Sequence, residues 1–209
     1  VLGSTGTAGD VNVNDRVSWN ANTLTLNAQN DININADLNG SGTAQLALEY
    51  GQATAAGTGS GYKLQGGKVN LAAGNNFSTK QGSSGATQVY TVIISLGVAG
   101  DATTTSLQGI GNNLAGRYVL GGDIDASATS GWNGGTGFDP IGNSTGFTGI
   151  FDGLGHTISG LVIDRPGASL VGLFGHAGTG SAIRNLGLLG GSVSGSSYVG
   201  GLVGFGDHG

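Results

Sequence analysis

Residues 147–204 read FTGIFDGLGHTISGLVIDRPGASLVGLFGHAGTGSAIRNLGLLGGSVSGSSYVGGLVG. A short apolar phrase arises here, stops at glycine, and arises again. Ile158-Ser159-Gly160-Leu161-Val162-Ile163 is answered by Ile183-Arg184-Asn185-Leu186-Gly187-Leu188, a step of 25 residues. Leu170-Val171-Gly172-Leu173-Phe174-Gly175 is answered by Tyr198 to Gly204, a step of 28 from Val171 to Val199. A period in the twenties without helical spacing inside it marks a stacked repeat. Each unit is too small to bury its own apolar face and must lie on its neighbours.

Upstream the pattern changes but the principle holds. Val11-Asn12-Val13-Asn14, Leu24-Thr25-Leu26-Asn27 and Ile32-Asn33-Ile34-Asn35 alternate apolar and polar residues. Period two with β-branched residues predicts half-buried strands. Asn-rich links join them, and residues 11–39 contain no glycine. Asparagine tolerates left-handed backbone angles and suits tight corners. Strands stacked in register would bring asparagines into ladders. Further strands are expected at Gln45–Tyr50, at Lys68–Leu71, at Asn75–Thr79, at Tyr90–Ile94 and at Arg117–Leu120, with loops at 51–61 and 126–146. Asp101, Leu107, Ile110, Leu114 and Gly116 predict a short helix or compact loop over 101–116. The residues before Asp10 are small and predict a turn or frayed end.

These features predict an all-β chain, a parallel β-helix (β-solenoid) with a short excursion near 101–116. Each coil would carry about three strands, and about 20–25 residues per coil gives roughly nine or ten coils. An antiparallel sandwich is the rival, but it leaves the long recurrence unexplained. Three regions follow along one continuous solenoid: Asn-rich coils over 1–100, the excursion and loop over 101–146, and Gly-rich coils over 147–209. The missing initiator Met at Val1 and the closing Val-Gly-Gly-Leu-Val-Gly phrase suggest a piece of a longer chain.

Composition narrows the function classes. The 209 residues include 45 glycines but only two prolines and no Gly-X-Y period, which excludes collagen. Net charge is −5 and charged residues make up 9%, so no basic stripe awaits nucleic acid. The chain has no cysteine, which removes disulfides, thiolate metal sites and Cys nucleophiles. That suits export through an oxidising compartment. The longest apolar run, Val92–Val98, is far too short to span a membrane.

Leu24-Thr25-Leu26-Asn27-Ala28 and Asp31-Ile32-Asn33-Ile34-Asn35-Ala36 resemble repeats of filamentous haemagglutinin-like exoproteins, which bacteria export by two-partner secretion. Tyr90–Ile93, Ser106–Gly109 and Leu120–Ser127 look like segments of the same group. Gly149-Ile150-Phe151-Asp152-Gly153-Leu154-Gly155-His156-Thr157-Ile158 and Val199–Gly204 are similar to the GLUG-type repeats of bacterial adhesins. The resemblance implies a right-handed parallel β-helix at the outer cell surface, acting as the shaft of a secreted adhesin or biofilm protein. The expected partners are an unidentified host-cell or matrix surface receptor or glycan and an outer-membrane transporter during secretion, and the raw strand edges at the ends of a rod predict end-to-end or lateral self-association. No counterpart of the family's secretion domain is visible.

No catalytic, cofactor or metal site is expected. His156, His176 and His208 form no HExxH pattern and read as turn or surface residues. Asp123, Asp125, Asp139, Asp152 and Asp164 are the acids to weigh. Asp123 and Asp125 could work as a pair on a sugar, as in a carbohydrate-active β-helix. They also point outward simply because Ile124 points in. Asp152, ahead of Gly153, reads as a turn residue. A calcium site would lack the repeated Gly-Gly-x-Gly-x-Asp pattern. Trp19 and Trp132 could each stack on a sugar ring, and Trp132, in its Gly-rich loop, is the candidate glycan contact.

Overall fold

The computed structural model describes residues 9–207. The expected turn before Asp10 therefore falls almost entirely outside the described residues, as does His208. The fold is a β-solenoid of about six turns with short 3-10 segments. Two compact units can be distinguished. One runs to Val92 and takes in Val119–Gly122; the other holds Ile93–Tyr118 and the chain from Asp123 onward.

In the first unit each coil has three strands, as the sequence predicts. Val11–Val13, Val17–Trp19 and Thr23–Asn27 form one coil. Ile32–Ile34, Leu38–Gly40 and Gln45–Tyr50 form the next, and Tyr62–Leu64, Val69–Asn70 and Gly74–Gln81 a third. Each strand of the first two coils pairs in parallel with its counterpart one coil on. Val11 meets Ile32 and Ile32 meets Tyr62; Leu24 meets Leu46 and Leu46 meets Phe77. Because alternate side chains point inward, like lands on like, and a continuous apolar column results. Ile32, Ile34, Leu38, Leu48 and Val69 are fully buried within it.

The first step, Val11 to Ile32, is 21 residues. The second, Ile32 to Tyr62, is 30, because the chain makes an extra loop between Gly51 and Gly61. That loop lies flat on the following turn, with Ser83 donating its N–H to the Thr54 carbonyl and Gly82 to that of Tyr50. After Gln81 the parallel order breaks. Gln88–Ile93 turns back antiparallel on Gly74–Gln81, with Tyr90 opposite Phe77 and their rings edge to face at 5.3 Å. The sequence reading places strands there but not this hairpin.

The second unit winds longer coils of five short strands instead of the expected three. Ile150–Asp152, Thr157–Ser159, Val162–Asp164, Ser169–Val171 and Phe174–Ala177 are followed in the same order by Ala182–Arg184, Gly187–Leu189, Ser192–Ser194, Ser197–Val199 and Val203–Gly206. Val171 pairs with Val199, as the 28-residue step predicts. The 25-residue step does not hold. Ile158 lies on Leu188, 30 residues on, and Phe151 lies on Ile183. The two phrases look alike because both are aliphatic and glycine-bounded, yet they occupy different sides of the coil. Coils of 28 to 32 residues explain why there are about six turns and not nine or ten.

The corner before Val171 bends with a leucine. Leu170 has φ 61° and Tyr198, its counterpart one coil later, has φ 52°. Left-handed backbone is costly for a side-chain-bearing residue. The stack imposes the same bend on both coils whatever residue stands there.

The excursion over 101–116 is a compact loop with one short 3-10 turn, Gln108–Asn112. Leu107 and Ile110 are its buried anchors. Asp101 organises it: its carboxylate accepts from Thr103 N–H at 2.8 Å and Ser106 Oγ at 2.6 Å, and Ser106 Oγ in turn accepts from Gly109 N–H. These bonds, Ser106 foremost, hold the Asp101 carboxyl below its ordinary range.

Phe174 is wholly buried, with the rings of Phe147 and Phe151 at 5.0 and 5.3 Å. Phe174→Ala should therefore lower stability by about 3–5 kcal/mol, read as a shifted urea midpoint. Leu189→Ala, at a side chain 57% exposed, should stay within about 0.5 kcal/mol.

Candidate functional site

The outward residues of stacked strands form their own columns. Asn33 donates its Nδ2 to Asn12 Oδ1 at 2.9 Å, and Asn35 to Asn14 at 2.8 Å. On the next face Asn70 donates to Asn39 Oδ1 at 2.7 Å. These are the asparagine ladders the alternation predicts. A mixed ladder runs beside them, in which Ser60 Oγ donates to Asn30 Oδ1 and Asn30 to Asp10 Oδ1.

The acids are drawn into similar bonds between and within coils. Ile124 is buried and Asp125 exposed, as expected. Asp125 accepts the N–H of Ser127, which lowers its pKa. Asp123 Oδ1 accepts the N–H of Thr157 at 2.8 Å and lies 3.2 Å from His156 Nδ1. Asp139 pairs with Arg165 and accepts from Asn133 Nδ2. Asp164 is exposed on its strand. Each of Asp123, Asp125 and Asp139 thus has a local structural bond.

Burial sets Asp152 and His156 apart from the other candidates. Asp152 does bond the turn that follows it, as expected, but it is also a fully buried carboxylate, which the sequence reading does not foresee. Arg184 Nε donates to its Oδ2 at 2.6 Å, Asn185 Nδ2 reaches both oxygens, and Leu154 N–H binds Oδ1. His156 is not at the surface but 1% exposed. His176 sits half-buried in a strand, its Nε2 3.1 Å from Asp207 Oδ1, and holds that carboxyl below its ordinary value. Among the described residues no three His, Asp or Glu side chains gather to hold a metal ion.

Trp132 is half-buried and stacks on the buried Phe138 ring, with centroids 6.4 Å apart and planes 21° apart. Positive φ at Asn133 and Gly134 turns the loop here, and Asn133 Nδ2 ties it to the Gly137 carbonyl. One ring face is therefore occupied within the loop.

Trp19 has a different setting. It ends the strand Val17–Trp19, opposite Gly40 in the next coil. Its indole N–H donates to the Gln45 carbonyl at 3.2 Å, which fixes the ring. A Cβ at position 40 would stand 3.0 Å from Trp19 Cζ2 and 2.7 Å from Leu71 Cδ2, so the ring's seat depends on a glycine there. Trp19 lines an open groove of about 600 Å³ with Ser18, Asn20, Asn39, Gly40, Ser41 and Asn70. No ionisable side chain lines it. Sequence reasoning names Trp19 but cannot assemble this groove, because its walls come from three coils.

These features define a β-solenoid with polar ladders outside and an apolar column within, and two known proteins are similar to parts of the chain. Halomucin of Haloquadratum walsbyi is 50% identical over 107 residues, 47% of this chain. A Gly-rich membrane protein of Evansella cellulosilytica is 38% identical over 108 residues, 49% of this chain. The matched region spans 1% of the first relative's length and 12% of the second's. No protein-family profile and no solved structure matches the chain. Among the described residues no helix is long and apolar enough to cross a membrane.

Lys63 and Asp31 form an ion pair at 2.5 Å in the first unit. The bond lowers the Asp31 pKa from 3.8, helped by the Gly61 N–H, and raises that of Lys63. A lowered carboxyl stabilises the fold above its unfolded value and loses that contribution as pH falls through the folded value. Lys63→Met should therefore destabilise at pH 7, and the gap from the parent should close as acid protonates Asp31. Urea unfolding at pH 7 and pH 3 checks this.

Proposed function

We propose that this chain is a non-enzymatic shaft segment of a large secreted surface exoprotein that serves cell adhesion or biofilm formation. The observation that carries the reading is the strand-by-strand register of successive coils, from Val11 to Ile32 to Tyr62 and from Val171 to Val199. Within each unit such a stack has a continuous core and backbone bonds from coil to coil, so load on one coil passes to the next. Its role is to hold a distal binding region away from the cell.

Two further observations support it. Asp123, Asp125 and Asp152 are bound to neighbouring backbone or basic groups, which suits structure better than acid–base work on a sugar. The small share of each relative that the chain matches suits a segment of a very long protein. Export by two-partner secretion through an outer-membrane transporter, kinship with GLUG-type adhesins, and a host or matrix receptor at the distal end belong to the same proposal. So does association between copies: the coil from Ala182 to Gly206 displays Leu189, Tyr198 and Val199 at 57%, 58% and 43% exposure.

The test is excision of this segment from its full-length parent, with surface display verified by antibody. The shaft reading expects a shorter projection in electron micrographs and weaker attachment, and a longer projection when two tandem copies replace one. Unchanged projection and attachment after excision would overturn it.

A further inference from the structure

We propose that the Trp19 groove binds a neutral polysaccharide. The proposal is independent of the shaft role and of the Trp132 loop. It rests on what lines the groove and on how those groups are held.

Shape and charge come first. A volume of about 600 Å³ lies within the roughly 300–1,000 Å³ of small-molecule sites, and the groove is open to solvent. A ligand can therefore enter along its length, as an internal stretch of a chain does. Ser18, Asn20, Asn39, Ser41 and Asn70 are all uncharged. No guanidinium or ammonium is present to select phosphate, sulfate or a uronic acid, and no carboxylate is present to select a cation. Recognition must come from neutral hydrogen bonds and one aromatic ring.

The hydrogen-bonding groups match a hydroxyl-rich partner. A sugar hydroxyl both donates and accepts, so its site needs both kinds of group in fixed places. An asparagine amide supplies two N–H donors and a two-lone-pair acceptor on one plane. Asn70 spends one N–H on Asn39 Oδ1, and that bond sets the plane of both amides. Among the described residues the Asn39 N–H groups and the Asn70 carbonyl oxygen have no protein partner. Asn39 and Asn70 both line the groove, from adjacent strands, and so bring it an unused amide donor and an unused amide acceptor. Ser18 lies beside Asn39 in the same register and adds a hydroxyl.

The ring is held as firmly. Its N–H is anchored on the Gln45 carbonyl, and Gly40 leaves the space it occupies. A fixed, half-exposed indole offers an apolar face to the C–H face of a pyranose, with its polar edge already satisfied. Ordering such a site costs little when ligand binds, because coil packing has ordered it beforehand.

The experiment uses the whole chain carrying Trp132→Phe, so that Trp19 is the sole tryptophan. Its fluorescence is titrated with cellotetraose, laminaritetraose, maltotetraose, mannotetraose and chitotetraose, and with tetragalacturonate as the charged comparison. The expected result is a saturable change with at least one neutral tetrasaccharide, and weaker or no response to tetragalacturonate. Calorimetry then compares Trp19→Ala and Asn39→Ala, each shown folded by circular dichroism, for an expected loss of about tenfold or more in affinity. Asn39→Ala keeps the test decisive if Trp19→Ala fails to fold. Absence of saturation by every neutral sugar up to about 10 mM, preference for tetragalacturonate, or parental affinity in either folded variant would overturn the proposal.

Discussion

Register is the constraint on which this structure depends. A parallel stack succeeds only if each inward residue lands on an inward residue one coil away, because a slip by one place turns every apolar side chain outward. Val13 on Ile34, Val17 on Leu38 and Leu26 on Leu48 meet that condition in the first unit. Phe151 on Ile183 and Ile163 on Val193 meet it in the second. Loops of different length can be inserted between strands without disturbing it. The chain between Gly51 and Gly61 adds about half a coil of sequence and leaves Leu46 facing Phe77.

Polar groups outside the column obey the same geometry. The amide bonds of Asn12 with Asn33 and of Asn39 with Asn70 exist because parallel in-register pairing sets identical residues side by side. The buried Asp152 is tolerated for a related reason. Arg184 and Asn185 come over it from the next coil, so the charge is paired and hydrogen-bonded where it would otherwise be prohibitive.

The strands, the parallel fold and the compact 101–116 loop were legible because alternation and glycine stops are local signals. Coil length was not. Aligning Ile158 with Ile183 sets Arg184 beside Ser159, whereas the true register sets it beside Asp152. The buried ion pair was invisible under the wrong alignment. An acid in one coil facing a base 32 residues later is a usable signal once the register is known. His156 was misread for a similar reason: its neighbour Asp123 is 33 residues away. The Trp19 groove was beyond reach, since Asn39 and Asn70 join it only when three coils are superposed. The antiparallel return of Gln88–Ile93 had no marker, because a strand's direction leaves no trace in its own alternation.

The amide ladders also have a sense. Asn33 donates back to Asn12, Asn35 to Asn14, Asn70 to Asn39, Asn30 to Asp10 and Gln65 to Asn33, from the later coil to the earlier, whereas on another face Asn27 donates forward to Glu49. A column of one-way bonds is a vector. Growth by head-to-tail addition prolongs that vector, while head-to-head meeting sets like groups against like. Within a stack of coils, the columns of one-way amide bonds therefore carry a direction of their own beside that of the parallel backbone.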